Sequence, residues 1–482
     1  GVFGLRLCSN EHAEVDQFLA ALAVHLKKFG VVADADAGPG LAIIPGAVAH
    51  YNDISLIYGL QSMRNNADSA AEGEVGGLAQ LVESLSPYLQ TMFDGTGADL
   101  LQKQSQPPLA PVSISMAMYG LSNMRVEGTT ASPAELAVER LILLLTRAVD
   151  TATEQAFHRT KSGAPLAMTT QGLGMIAFGL RNLSSDNAAV RPLVRSLSQY
   201  MGVLVESGAV TGDFSARDLG KVIVGVRGLS SEHAEVRAFM TAVLPLLRRL
   251  QPDAGEGGGV AQLSPAVLAG LQNMAIEHTV VREWVDLLMN EFVCRYDAEL
   301  TTEEVADAVY GLRMLSGTKG GPKGQLDPSH AHALDTVAKL IKDNGVDRNW
   351  SRGWNSSSNN DIVRIMFGLQ HVGSSDAASR SLLSALTPCV STIDVSKKPF
   401  TTAQIASICY CMSNMNNKHF EVEGLLRVFH GLFHAQKQLA DKESSEDASF
   451  YGLSPFSAQQ LGMCFYGFQN MSIHTFTTAG NP

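Results

Sequence analysis

Positive charge is scarce in this chain of 482 residues: 36 Lys and Arg face 47 Asp and Glu, a formal net charge of −11. That balance excludes a broadly basic nucleic-acid-binding surface, though not a local basic patch. Charged residues of both signs are only 17% of the chain and aromatic residues 7%. Cysteine is sparse as well: six residues, too few and too scattered for a disulfide scaffold. Cys8, Cys294, Cys389, Cys409, Cys411 and Cys464 mostly have apolar neighbours and read as buried free thiols of a reducing compartment. No apolar run reaches the ~18–20 residues of a membrane span. The first residues, Gly1 to Arg6, lack a signal- or transit-peptide pattern and fall directly into a helical one. A trimmed piece of a longer precursor is therefore expected, beginning and stopping within a repeat. Its address label would be lost, and a chloroplast or mitochondrion would fit.

Hydrophobic residues, at 45%, are ample for a sizeable core, and glycine is abundant at 44 residues. Much of that glycine obeys a rule. The phrase aromatic-Gly-Leu-Gln/Arg-Asn-Met recurs along the whole chain. It reads Tyr58-Gly59-Leu60-Gln61-Ser62-Met63, then Tyr119-Gly120-Leu121-Ser122-Asn123-Met124, then Phe178-Gly179-Leu180-Arg181-Asn182-Leu183. Weaker copies centre on Gly225, Gly270, Gly311 and Gly368, a degenerate one has Cys411 in the glycine's place, and the last has Gly467. Phe3-Gly4-Leu5-Arg6 opens the chain as a tenth copy, and glycine-to-glycine spacings run from 41 to 61 residues. Self-similarity at such a period is the signature of a repeat architecture.

Upstream of each glycine, apolar residues recur at helical spacing, as in Ile54, Ile57 and Tyr58, and Ser or Thr caps several starts (Thr301, Thr401, Ser457). This is helix A. A polar hinge follows, such as Ser184-Ser185-Asp186-Asn187 or Ser230-Ser231-Glu232-His233. Helix B then begins at a Val, as in Val236, Phe239, Met240, Val243, Leu247 or Val281, Trp284, Val285, Leu288, Phe292. Sustained period-2 alternation is absent, so the expected fold is all-α: an α-solenoid of about ten tandem helix-turn-helix repeats over 1–482, with irregular loop insertions. A helix pair cannot bury its apolar stripe alone, and stacking pairs yields a superhelical array with inner and outer helix layers. Glycine within a helix costs about 1 kcal/mol relative to Ala. Its recurrence at one position predicts that helix A approaches a neighbouring helix there.

The aromatic-Gly-Leu end of helix A, the hinge and the Leu-rich helix B resemble the helix-pair α-solenoid class that includes tetratricopeptide, pentatricopeptide and octotricopeptide repeat proteins. The likeness is greatest to the octotricopeptide type. It implies RNA binding in organelles.

Catalytic constellations are wanting. Gly317 to Lys323 is glycine-rich, but Pro322 stands where a phosphate-binding loop needs Gly before its Lys. His12, His233, His278 and His419 each lie eight residues after a repeat's glycine, or after Cys411. Spread along a solenoid they cannot converge on one metal, and they read as residues that start helix B. No catalytic residue, metal site or cofactor is expected. The candidate binding row lies two residues after the glycine: Arg6, Gln61, Ser122, Arg181, Arg227, Gln272, Arg313, Gln370, Ser413 and Gln469. One position varying among polar types could read RNA repeat by repeat; equally it could cap and solvate helix A. Asn123, Asn182, Asn273, Asn414 and Asn470 beside it suit a helix C-terminus. Arg191, Arg237, Arg282 and Arg380, twelve after the glycine, are placed to pair with acids of adjacent repeats. The function expected is a non-enzymatic scaffold or adaptor presenting a concave surface to protein subunits of a larger complex. Organellar RNA binding is the alternative.

Overall fold

In a computed structural model the described residues are 13–28, 57, 60, 77–84, 111–126, 132–163, 167–211, 215–249, 263–316, 326–345, 359–442 and 455–472. The copies at Gly4 and Gly59, with Arg6, Gln61 and His12, lie outside them, as do the Gly- and Pro-rich connectors.

The described chain is helical almost throughout. Its one sheet is a two-residue parallel pair, Met168–Thr169 beside Val210–Thr211. Two compact units divide it, Gly1–Gln251 and Pro252–Pro482. The first holds α1 (Ala13–Lys28), α2 (Pro111–Gly120), α3 (Pro133–Ser162), α4 (Thr170–Gly179), α5 (Val190–Glu206), α6 (Ala216–Gly225) and α7 (Ala234–Arg249). The second holds a 3-10 segment (Pro265–Leu271) and α8 (Thr279–Glu291), α9 (Thr302–Gly311), α10 (Pro328–Gly345), α11 (Asn359–Gly368), α12 (Ala377–Ser391), α13 (Thr402–Cys411), α14 (Phe420–Lys442) and α15 (Ala458–Gly467).

Helix A is cut to length by its sequence. Thr169, Ser215, Thr301, Thr401 and Ser457 each stand at the N-cap and accept a backbone N–H with the side chain. At Thr301, Thr401 and Ser457, Glu304, Gln404 and Gln460 return the bond to complete a capping box. The helices so capped are 10 residues long and finish on the repeat's glycine or on Cys411. The copy at Gly270 departs from this. Its helix A is the 7-residue 3-10 segment, with Pro265 at its start and Ser264 at the N-cap accepting the Ala266 N–H.

Helix B carries its apolar residues at i, i+3, i+4, i+7 and i+11. Val190, Leu193, Val194, Leu197 and Met201 of α5 are at most 1% exposed, and the same spacing is buried in α3, α7 and α8. Burying each such side chain contributes roughly 1.5–3 kcal/mol. Pro245 and Pro388 lie inside α7 and α12 near their ends, and each helix runs on for a few residues beyond.

Packing follows sequence order. In the first unit α2, α4 and α6 pack in succession, and so do α3, α5 and α7. In the second, the 3-10 segment, α9, α11, α13 and α15 form one row and α8, α10, α12 and α14 the other. A helices meet A helices and B helices meet B helices, so each unit has two layers.

Candidate functional site

The glycines sit where consecutive A helices touch. A Cβ built on Gly179 would come within 3.0 Å of the Met118 carbonyl, one on Gly225 would meet that of Ala177, and one on Gly311 that of Leu268. Gly368 faces the Val309 carbonyl and Gly467 that of Cys409 in the same way. The atom met is always the carbonyl two residues before the preceding copy's glycine or Cys411. Gly120 and Gly270 are buried at the corresponding ends of α2 and the 3-10 segment. Cys411 breaks the series and is buried at the end of α13.

The candidate binding row lies at these junctions and reaches backwards. Arg181 donates from Nε to the Ser122 carbonyl (2.8 Å) and from its guanidinium to Asn123 Oδ1. Arg313 does the same to the Gln272 carbonyl (3.4 Å) and Asn273 Oδ1 (3.5 Å). The asparagines one residue on add a second strand of bonds. Asn182 donates to the Ser122 carbonyl at 2.7 Å, Asn414 to that of Gln370 at 2.7 Å and Asn470 to that of Ser413 at 2.6 Å. Where the copy at Gly225 has Gly228 in place of Asn, the backbone itself closes on the Leu183 carbonyl. Sequence reasoning placed these asparagines at the helix end but missed that their side chains serve the preceding repeat; the signal was their adjacency to the ladder glycine. Ser122 and Ser413 are buried, Arg181, Arg227, Gln272, Arg313 and Gln370 half-buried, and Gln469 exposed.

The aromatic residues before the glycines stand on the same side. Tyr119 and Phe178 stack at 5.6 Å between centroids and Tyr410 and Tyr466 at 5.4 Å. Arg181 lies 4.2 Å above Phe178, and Arg313 the same distance above Tyr310, to whose hydroxyl it also donates. One turn earlier the row runs Met116, Met175 and Lys221 in the first unit and Asp307, Arg364, Ser407 and Met463 in the second, all half-buried. Arg364 is ion-paired with Asp307, and Lys221 with Asp218 at 3.2 Å. In the first unit this stripe opens into a groove of about 460 Å³ lined by Tyr119, Gln171, Met175, Arg217, Asp218 and Lys221. It offers the Tyr119 ring and the Met175 sulfur beside the Lys221–Asp218 pair and the Arg217 guanidinium.

The hinges form a further ladder. Ser185 Oγ accepts from the Ser230 N–H and Ser374 Oγ from the Asn416 N–H, both at 2.8 Å, while Asn417 exchanges two bonds with the Ser472 backbone. The arginines twelve after the glycine clamp their own hinge and reach onward: Arg380 donates to the Ser374 and Ser375 carbonyls and faces Glu421 at 3.8 Å. Arg282 pairs with Asp327 at 3.3 Å, and Arg237 holds the Ser231 and Glu232 carbonyls. For Arg191 no such bond is seen; it lies near Glu235, whose carboxyl is held low chiefly by its own backbone N–H and by Arg195. His233, His278 and His419 each immediately precede a B helix, and His233 contacts Asp186 of the preceding hinge at 3.0 Å. Among the described residues no three metal-binding side chains converge. The thiols of Cys389 and Cys411 are each pushed up to about 12 by burial, which makes them poor nucleophiles.

No protein-family model, curated protein or solved structure matches this chain.

Proposed function

We propose that the chain is a non-enzymatic α-solenoid scaffold whose A-layer stripe receives protein partners within a larger assembly. The observation that carries this reading is that four of the stripe's cations are already engaged. Arg181 and Arg313 are engaged with carbonyls, amide oxygens and ring faces, Arg364 with Asp307, and Lys221 with Asp218. Neutralising a phosphate backbone needs Lys and Arg in number, whereas aromatic rings, methionine and paired charge are the chemistry of protein hot spots. The aromatic-Gly-Leu motif keeps the octotricopeptide type as the nearest likeness among helix-pair repeats. RNA is the second reading, favoured by the arginines stacked on rings at Phe178 and Tyr310.

A photo-crosslinker placed at Met175 tests both. In native extract, protein adducts that disappear on Tyr119→Ala are expected. A lone monomer without adducts would sink the scaffold reading. Steeply salt-dependent RNA affinity that weakens when Arg181, Arg227 and Arg313 are neutralised would establish the alternative.

A further inference from the structure

The groove of the first unit crosses consecutive A helices at matched positions. Gln171 and Met175 lie eight and four residues before the glycine of α4, and Arg217 and Lys221 hold the same two places on α6. Residues four apart share a helix face. Tyr119, near the end of α2, completes the lining with Ser215 and Asp218. Close packing fixes the floor, since a Cβ built on Gly174 of α4 would come 3.0 Å from the Asp218 carbonyl of α6. The acceptors of this lining are mostly occupied. Asp218 takes the Ser215 hydroxyl at 2.7 Å and the Lys221 ammonium at 3.2 Å, and Ser215 Oγ receives the Asp218 N–H. Arg217 is exposed and has no hydrogen bond or ion pair among the described residues. With Lys221 balanced by Asp218, the charge of Arg217 and the N–H donors of its guanidinium are left over.

We propose that this groove binds an acidic peptide segment of a partner protein, a Glu or Asp next to an apolar residue. The inference rests on the scaffold reading and gives the partner a chemistry. The carboxylate accepts from the Arg217 guanidinium, whose planar fork matches it bidentately. The neighbouring apolar side chain lies against the Tyr119 ring and the Met175 thioether. A single free cation matches a single carboxylate. A nucleic-acid backbone needs several, and the Asp218 carboxylate in the wall repels a dianionic phosphate more than a monoanion. No described A helix of the second unit repeats the cation pair. The two places hold Glu303 and Asp307 on α9, Asn360 and Arg364 on α11, and Ala403 and Ser407 on α13. The preference for an acidic segment therefore belongs to the first unit.

A fluorescein-labelled peptide of repeated Ala-Glu-Leu is the probe, and its Ala-Gln-Leu twin the control. Titrated with the intact chain and followed by anisotropy, the Glu peptide is expected to bind saturably and at least tenfold more tightly than the twin. Arg217→Glu should weaken the Glu peptide at least tenfold. Lys437→Glu, an equal charge change on α14 in the other layer, should leave it unchanged. Both side chains are exposed, so both variants should melt like the parent. No saturable binding, equal affinity for the two peptides, or equal losses with the two variants overturns the proposal. So does a uridine oligonucleotide that binds the parent more tightly than the Glu peptide and weakens with Arg217→Glu. The crosslinker at Met175 tells the two readings apart. Protein adducts in native extract that neither Arg217→Glu nor excess Glu peptide reduces leave the scaffold standing and overturn this inference, whereas a parent without adducts sinks both.

Discussion

A glycine is judged by what its missing side chain would strike. Gly225 ends α6 against the Ala177 carbonyl, whereas Gly202 lies within α5 with nothing inside 4 Å of its would-be Cβ. Identical substitutions should therefore act in opposite directions. Gly225→Ala forces two backbones apart and is expected to lose about 1–3 kcal/mol, the usual range for overpacking. Gly202→Ala removes a helix penalty and should gain up to ~1 kcal/mol. Urea unfolding of the two variants decides the matter; a stabilised Gly225→Ala would mean that the helices can part cheaply and that close approach is not what the glycine serves. The position was legible in the sequence because a penalty repeated at one place needs a repeated cause. The asparagine beside it was not, since nothing in a single copy distinguishes an Asn that closes its own helix from one that bonds to the carbonyl of the copy before.

Among the B helices one residue breaks the pattern that defines the element. The first apolar position of the stripe holds Val190, Val236, Val281 and Val422, each 0% exposed, but in α10 it holds His330, also 0% exposed. The spacing identifies it: Ala333, Leu334, Val337 and Ile341 follow at the same intervals. Neither ring nitrogen of His330 has a hydrogen-bond partner. Burial pulls its pKa from 6.5 down to about 4, with Asp327 and Asp376 opposing weakly. The native state thus binds the proton less readily than the unfolded chain. Its stability is whole above pH 6.5 and declines as pH falls from 6.5 towards 4, by an expected ~3 kcal/mol in all. His330→Val restores the valine of the other repeats and should remove most of that slope while raising stability at pH 7. Urea midpoints at pH 7, 6, 5 and 4 for parent and variant are the measurement, and parallel curves would show that other groups govern the acid limb. Ser379 occupies the same position in α12, buried at 2% and likewise without a partner for its hydroxyl. Two adjacent B helices therefore depart from valine together. The period of the stripe was readable from α7 and α8, but α10 follows a long connector, and only its packing against α8 and α12 assigns His330 to the valine's place.

At the scale of the whole chain, the two-layer order was legible because the ten copies keep one phrase and one polarity pattern. The stripe's chemistry was less so. Arg181 and Arg313 looked like ligands waiting to read a base, and their engagement with Ser122, Asn123, Gln272 and Asn273 appears only once neighbouring helices are set side by side. Contacts confined to sequence neighbours carry a thermodynamic consequence. In a repeat stack stability is a sum of units and of interfaces between adjacent units, so damage stays near its origin. In a single shared core it would spread. Gly311→Leu drives a side chain into the Leu268 carbonyl and should open one junction of the second unit. Amide exchange is then expected to quicken by tenfold or more in residues 265–271 and 302–311, while α13 and α14, two junctions away, keep their parent protection. Hydrogen exchange read by mass spectrometry resolves these segments directly. Uniform acceleration from residue 263 to 472 would mean that the second unit melts as one body, and a row of locally coupled hairpins would no longer describe it.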